Sequence, residues 1–210
     1  MSAYPDLVRH DVLKLVPADG QVIGSIGCHR GATEAELIKR GRQVHGVDIN
    51  ADAIAVAATR LTSARIVSPD DWHPFADASL DGLILADVME HIPQAWDALA
   101  CFARMVRPGG WVVISVPHMR NFSVLWHLIL RGDWPEHDLG VFDRTHTQVT
   151  TRRRLERWCR AAGLVPEQWQ WQYDAWTYAQ YRRLRIVNAL TGRLLNSWFM
   201  LQTQVRCRVQ

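Results

Sequence analysis

The chain has 210 residues, 48% hydrophobic and 21% charged, a balance that fits one packed globular domain over 1–210 and excludes a disordered chain. No run of about 18 uncharged apolar residues occurs, and the first 20 residues carry charges throughout, so neither a membrane-spanning helix nor a signal peptide is expected. The net charge of +3 hides a division, −5 over residues 1–150 and +8 over 151–210.

Residues 1–18 read as a short lead helix, with Leu7, Val8, Val12 and Leu15 at helical spacing. Residues 21–26 are a short apolar run, the pattern of a buried strand. A helix follows over 33–40, with Thr33 as its cap, Glu34 and Glu36 in its first turn and Gly41 as its stop. The second strand, 43–47, runs into Asp48-Ile49-Asn50, and an alanine-rich helix covers 51–61. A brief third strand spans 65–67, a fourth 80–86, and a helix 96–105. Pro108-Gly109-Gly110 predicts a turn before a strongly apolar fifth strand over 111–116. Residues 117–145 break the rhythm and are rich in Trp, His and Asp, which marks a lid or substrate insertion about 118–146. A helix over 150–162, a tryptophan-rich sixth strand over 164–173, an arginine-rich amphipathic helix over 179–198 and a last strand over 199–209 complete the chain. Strands separated by helices predict an α/β fold with a mostly parallel sheet, and such sheets bind ligands at the carboxyl ends of their strands.

Those ends carry the candidate site. The segment Gly24-Ser25-Ile26-Gly27-Cys28-His29-Arg30-Gly31 is a strand, a glycine turn and a helix start. Glycine lets backbone approach a ligand closely, and the helix start presents free N–H groups. Its spacing is not the G-x-G-x-x-G of a dinucleotide site, which disfavours a nicotinamide-dependent oxidoreductase. Asp48 stands at the end of the second strand, where a carboxylate can accept from two ribose hydroxyls or cap the helix that follows. Ser68-Pro69-Asp70-Asp71-Trp72 offers an acid for an exocyclic amine and a ring to cover a purine. Which of Asp70 and Asp71 does so stays open, and an exposed turn is the plainer reading.

The ordered set Gly27-Cys28-x-x-Gly31, Gly46-Val47-Asp48, Pro74-Phe75-Ala76-Asp77-Ala78-Ser79-Leu80-Asp81, Glu90-His91-Ile92, Arg107-Pro108-Gly109-Gly110 and Ser115-Val116-Pro117 resembles class I S-adenosylmethionine-dependent methyltransferases of type 11/12, over roughly 18–118. Further on, Val116-Pro117-His118-x-x-Asn121-Phe122 and Phe142-Asp143-Arg144-Thr145-His146 are similar to the MetW-like subgroup and to methyltransferases of surface-glycan synthesis. The resemblance implies a Rossmann-like, seven-stranded, mostly parallel sheet flanked by helices, with its last strand antiparallel. It implies S-adenosylmethionine as cofactor, with Gly27 and Gly31 along its methionine and ribose, Asp48 on the ribose hydroxyls, Asp70 or Asp71 with Trp72 at the adenine, and Ala86 and Asp87 beside the methionine end. Ser25 stands where the family has an acid and His29 where it has a glycine, so both belong to the expected cofactor site in altered form. The function implied is methyl transfer to a small-molecule or glycan-type acceptor. The second reading, carried by Ser25 and His29, is a non-catalytic partner or regulatory protein with a degenerate cofactor site.

Methyl transfer to a hydroxyl needs in-line geometry and a proton acceptor. His118, after the fifth strand, and His146, in the Asp143-Arg144-Thr145-His146 cluster, both suit that task near neutral pH. Asp143 can orient a histidine, Arg144 can hold an anionic substrate, and Trp134 can cover a sugar or aromatic acceptor. His146 can equally cap the next helix, Asp143 and Arg144 can form an internal ion pair, and Glu90-His91 reads as a capping and packing pair. His118, His127, His137, Asp138 and His146 match no ligand spacing, so no metal is expected. Four scattered cysteines without a CxxC pair point to a reducing, cytoplasmic compartment. The arginines of 180–196 can touch an anionic membrane surface or lie in water, and Trp169, Trp171 and Trp176 can be core or the face of a homodimer. The basic surplus is not interleaved with base-stacking motifs, so no nucleic-acid partner is expected.

Overall fold

The computed structural model describes residues 6–173, 186, 188–190 and 196–210. In chain order the elements are α1 (His10–Leu13), β1 (Val22–Ile26), α2 (Ala32–Lys39), β2 (Gln43–Asp48), α3 (Ala51–Ala57), β3 (Ser63–Ile66), β4 (Leu80–Ala86), a 3₁₀ turn at Met89–His91 and α4 (Ala95–Arg104). They continue with β5 (Val106–Pro117), α5 (Phe122–Leu125), a π turn at Trp126–Arg131, α6 (Arg152–Ala161), β6 (Leu164–Tyr173), a 3₁₀ turn at Asn196–Trp198 and β7 (Met200–Val209).

Seven strands form one sheet in the order β3-β2-β1-β4-β5-β7-β6. The pairs from β3 through to β5 are parallel, while β7 runs antiparallel to both β5 and β6. The expected α/β sheet with an antiparallel last strand is therefore the observed one. The chain reverses its direction of growth between β1 and β4, and in open α/β sheets the ligand crevice lies at such a switch, beyond the strands' carboxyl ends.

The central strand β5 shows why the layers form. Its side chains alternate between two faces. Val112, Ile114 and Val116 join Leu83, Leu85, Leu99, Phe102, Leu155 and Trp158 beneath α4 and α6. Trp111 and Val113 join Ile23, Leu37, Val44, Ile84 and the α1 residues Val12 and Leu13 on the other side. Helix α4 buries Ala95, Ala98, Leu99, Phe102 and Ala103, an i, i+3, i+4, i+7, i+8 stripe. Each large side chain fully buried in this way contributes about 1.5–3 kcal/mol.

Four sequence expectations shift. Among the described residues the lead helix is confined to His10–Leu13, because residues 6–9 are held by distant partners: Arg9 N–H donates to Thr33 Oγ1 at 3.0 Å and Asp6 pairs with Arg60. Thr33 is thereby occupied and does not cap α2, whose N-cap is the left-handed Gly31. Pro108-Gly109-Gly110 does not precede β5 but bulges within it, with Gly109 at φ 75° and the register jumping from Leu80–Val106 to Gly82–Trp111. The helix expected over 179–198 lies mostly outside the described residues, with Arg182, Arg183, Arg185, Arg193 and Trp176, and its end at Trp198 is a 3₁₀ turn. Among the described residues no helix is long and apolar enough to cross a membrane.

Part of the basic surplus after residue 150 is seen on α6. That helix buries Leu155, Trp158 and Cys159 and turns its arginines outward. Arg152 lies over the stacked rings of Trp169 and Trp171, at 4.8 and 5.0 Å, and Arg154 lies over Trp158 at 4.9 Å.

Candidate active site

The tips of β1 and β2 build one half of the crevice. Gly27 and Gly31 have φ values of 72° and 70°, and His29 between them sits at 47°, a conformation that is uncommon for a side-chain-bearing residue. A Cβ on Gly27 would stand 2.4 Å from Val88 Cγ2, so glycine here allows the β1 loop to close on the β4 loop. Gly27 and Cys28 N–H groups both donate to Val47 O.

Asp48 is fixed from both sides, its Oδ2 accepting His29 N–H at 2.7 Å and its Oδ1 accepting Asn50 N–H at 2.8 Å. Each oxygen keeps a further lone pair, so the carboxylate can still grip a vicinal diol. The α3 cap is Asn50, whose Oδ1 accepts Ala53 N–H, which leaves Asp48 free of that duty. Ile49, beside it, is 62% exposed and offers a flat ligand an apolar face.

Ser25 is buried, and its hydroxyl donates to Glu34 Oε1 at 2.7 Å. Glu34, in the first turn of α2 as expected, turns inward and is buried. Burial raises its pKa, against the pull of the Ser25 hydroxyl. A carboxyl group thus reaches the tip of β1 from α2. Of the third motif, Asp70 is exposed, Asp71 Oδ1 accepts His73 N–H, and Trp72 packs its half-buried ring against the main core.

The tips of β4 and β5 build the other half. Asp87, just past Ala86, sits at φ 57°. Its Oδ2 pairs with the Arg9 guanidinium, and its Oδ1 is out of solvent without a hydrogen-bond partner. Arg9 also bonds Asp11 Oδ2 at 2.8 Å and Ser115 Oγ at 3.0 Å, and Gln204 of β7 bonds Asp11 in turn. Arg9 and Asp11 lie far from Asp87, Ser115 and Gln204 in the chain and carry no local motif, so no sequence signal marked them.

Glu90, in the 3₁₀ turn after β4, is 1% exposed, and neither of its carboxylate oxygens has a hydrogen-bond partner. Burial first, then the charge of Asp87, pushes its pKa well above the usual carboxylate range. Its carbonyl accepts the N–H groups of Thr147 and Gln148, which ties that stretch to the 3₁₀ turn after β4. His91 and His146 meet edge to face with ring centroids 4.9 Å apart.

A cavity of about 250 Å³ lies beside this junction, lined by Met119, Trp134, His146, Thr147, Gln148 and Val149. Trp134 leans edge-on against Phe142 at 5.1 Å. Burial, and then the neighbouring His91, lowers the pKa of His146, so its ring is neutral at physiological pH. The insertion expected about 118–146 therefore brings His146 and Trp134 together at one pocket.

The other candidates fall elsewhere. His118 is 2% exposed, bonds Thr203 Oγ1 at 2.7 Å, and is pushed down to about 4 by burial. It lies outside the lining of the His146 pocket. Asp143 Oδ1 accepts the N–H and hydroxyl of Thr145, and Thr145 Oγ1 meets His91 Nδ1 at 3.0 Å. Asp143 thus orients a histidine through Thr145. The internal pair Asp143–Arg144 does not form: Arg144 pairs with Asp138, and both side chains are exposed.

Taken as a donor set, the crevice holds lone pairs for a diol at Asp48, a guanidinium for a carboxylate at Arg9 and an unpartnered carboxylate oxygen for an ammonium at Asp87. A nucleoside joined to an amino acid matches that order of charges and hydroxyls.

A family profile described as a methyltransferase domain matches residues 3–168. The ubiquinone biosynthesis O-methyltransferase of Thiobacillus denitrificans is 27% identical over 161 residues, 72% of this chain and 68% of that protein. The protein of the same name from Paracidovorax citrulli is 28% identical over 160 residues, 71% of this chain and 66% of its own length. Among solved structures, a SAM-dependent methyltransferase from Archaeoglobus fulgidus has a similar fold, with a TM-score of 0.65 at 17% identity over 90% of this chain and 86% of that one. The chain spans about two thirds of the length of the two curated relatives.

Proposed function

The chain belongs to the methyltransferase-domain family of S-adenosylmethionine-dependent enzymes, and from that premise we propose that it methylates a hydroxyl oxygen of a small molecule seated in the pocket of Met119, Trp134 and His146. The carrying observation is the placement of that pocket: Glu90 and its hydrogen bonds to the 147–148 backbone join it to Asp87, and the charge of Asp87 is felt at both Glu90 and His146. A volume of about 250 Å³ suits a small acceptor, and the relatives named for O-methylation support oxygen as the atom modified.

S-adenosylmethionine, when bound, supplies an electrophilic methyl group. Asp48 would hold its ribose hydroxyls, Arg9 its carboxylate, Asp87 its ammonium, and the exposed Ile49 would flank its adenine. The acid absent at Ser25 is answered by Glu34, which supports a working cofactor site over a degenerate one. His29 keeps its N–H on Asp48, so the bulkier residue preserves the loop's hydrogen bond. Met119 and Trp134 exclude water from the acceptor, and His146 is the titratable side chain that meets its oxygen. A sugar hydroxyl is the second reading, favoured by the Trp134 ring at the pocket rim.

Calorimetry with S-adenosylhomocysteine tests the cofactor half, and transfer of labelled methyl from S-adenosylmethionine to a panel of phenols and sugars tests the acceptor half. Binding without transfer to any hydroxyl compound would overturn the acceptor assignment. Absence of binding would overturn the cofactor assignment.

A further inference from the structure

We propose that Glu90, His91 and His146 form a site for one divalent transition-metal ion in the wall of the acceptor pocket, an inference that rests on the reading of that pocket above. One ligand atom from each residue lies within 4.8 Å of the others. Glu90 is 1% exposed with both oxygens unpartnered, an arrangement unfavourable for an ionised acid and one that a cation would answer. Asp87 and Asp143 add negative charge around Glu90, and Arg9 offsets part of it.

The hydrogen bonds of the two rings leave one nitrogen of each able to ligate. Thr145 Oγ1 donates to Asp143 Oδ1 at 2.6 Å, so it accepts from His91 Nδ1. Val141 O, which can only accept, lies 3.4 Å from His146 Nδ1. Both rings then carry their proton on Nδ1 and their lone pair on Nε2. This is the outer-shell arrangement that fixes the tautomer of metal-ligating histidines. The Glu90 carbonyl bonded to the backbone of Thr147 and Gln148 holds the sequence-distant ligands in register.

Two imidazoles and one carboxylate select zinc, manganese, iron(II) or cobalt over calcium and magnesium, and three protein ligands leave coordination positions open. His146 also lines the pocket. With the Nε2 of His146 on the ion, the ion takes over from the free imidazole as the group that meets the acceptor oxygen, and the acceptor class narrows to compounds whose oxygen can ligate an ion.

Chelator-treated full-length protein titrated with Co²⁺ and followed by visible absorption tests this, with Zn²⁺ competition as a second reading. One ion should bind per chain, at about 10 μM or tighter. Glu90→Gln, His91→Ala and His146→Ala should each weaken binding by about 100-fold with unchanged circular dichroism, whereas His45→Asn should not. No binding up to about 1 mM Co²⁺ or Zn²⁺ would overturn the site, and so would wild-type affinity in the Glu90→Gln variant. S-adenosylhomocysteine binding, measured in the same samples, separates the two readings: its loss would sink the cofactor assignment while a bound ion would still stand.

Discussion

Replacing Glu90 by glutamine should stabilise the metal-free protein, and the gain should grow with pH. The Glu90 carboxyl is fully buried, has no donor on either oxygen and faces the charge of Asp87. Its pKa in the fold lies well above the ordinary 4.5. Below that ordinary value the acid is neutral in both folded and unfolded chains and costs nothing extra. As pH rises from there, the unfolded chain releases a proton that the folded chain retains. Stability therefore falls through the window between the ordinary and the raised pKa. Glutamine has the same shape and no charge, so the variant loses this slope. An unpaired buried charge costs more than an unpaired buried amide, by about 1–2 kcal/mol. For a chain of this size that is about 2–8 °C in melting temperature. Thermal melts of chelator-treated wild type and variant from pH 4.5 to 9 read it directly. Curves that stay parallel across this range, or a variant that loses ground as pH rises, would refute the reasoning. Added Zn²⁺ should raise the wild-type melting temperature and leave the variant's unchanged.

His118 titrates at about 4 in the fold against an ordinary 6.5, so stability present above pH 6.5 is lost as pH falls towards 4, by about 3 kcal/mol; His118→Asn should flatten that acid limb in urea titrations. Arg9→Met removes the cation shared by Asp87, Asp11 and Ser115 and should weaken S-adenosylhomocysteine binding about 10–100-fold by calorimetry, the loss of one charged hydrogen bond. Affinity within threefold of wild type would show that Arg9 only braces the fold. Gly27→Ala meets both a positive φ and Val88 Cγ2 and should cost about 2–4 kcal/mol in chemical denaturation. Adding Val88→Ala should recover part of that loss, because the collision disappears and the backbone strain stays.

What was legible in the chain was what repeats or sits next to its neighbours. Alternating strands and helices, the strand limits of β4 and β6, the glycine loop and Asp48 all follow from periodicity, from glycine's tolerance of positive φ, and from the rule that parallel strands bind at their carboxyl ends. From sequence alone the bulge at Gly109 is indistinguishable from a turn, since the two use the same residues and only pairing with β4 tells them apart. What the tertiary structure alone decided are the meetings of distant residues. Arg9 reaches Asp87 because the segment before α1 lies extended across α2. Glu34 turns inward because Ser25 leaves it room and a donor. Glu90, His91 and His146 converge because the 147–148 backbone hydrogen-bonds to the Glu90 carbonyl in the turn after β4. Local spacing encodes the elements because backbone geometry is local, whereas the chemistry of this crevice depends on loops whose relative positions are set by how the layers pack.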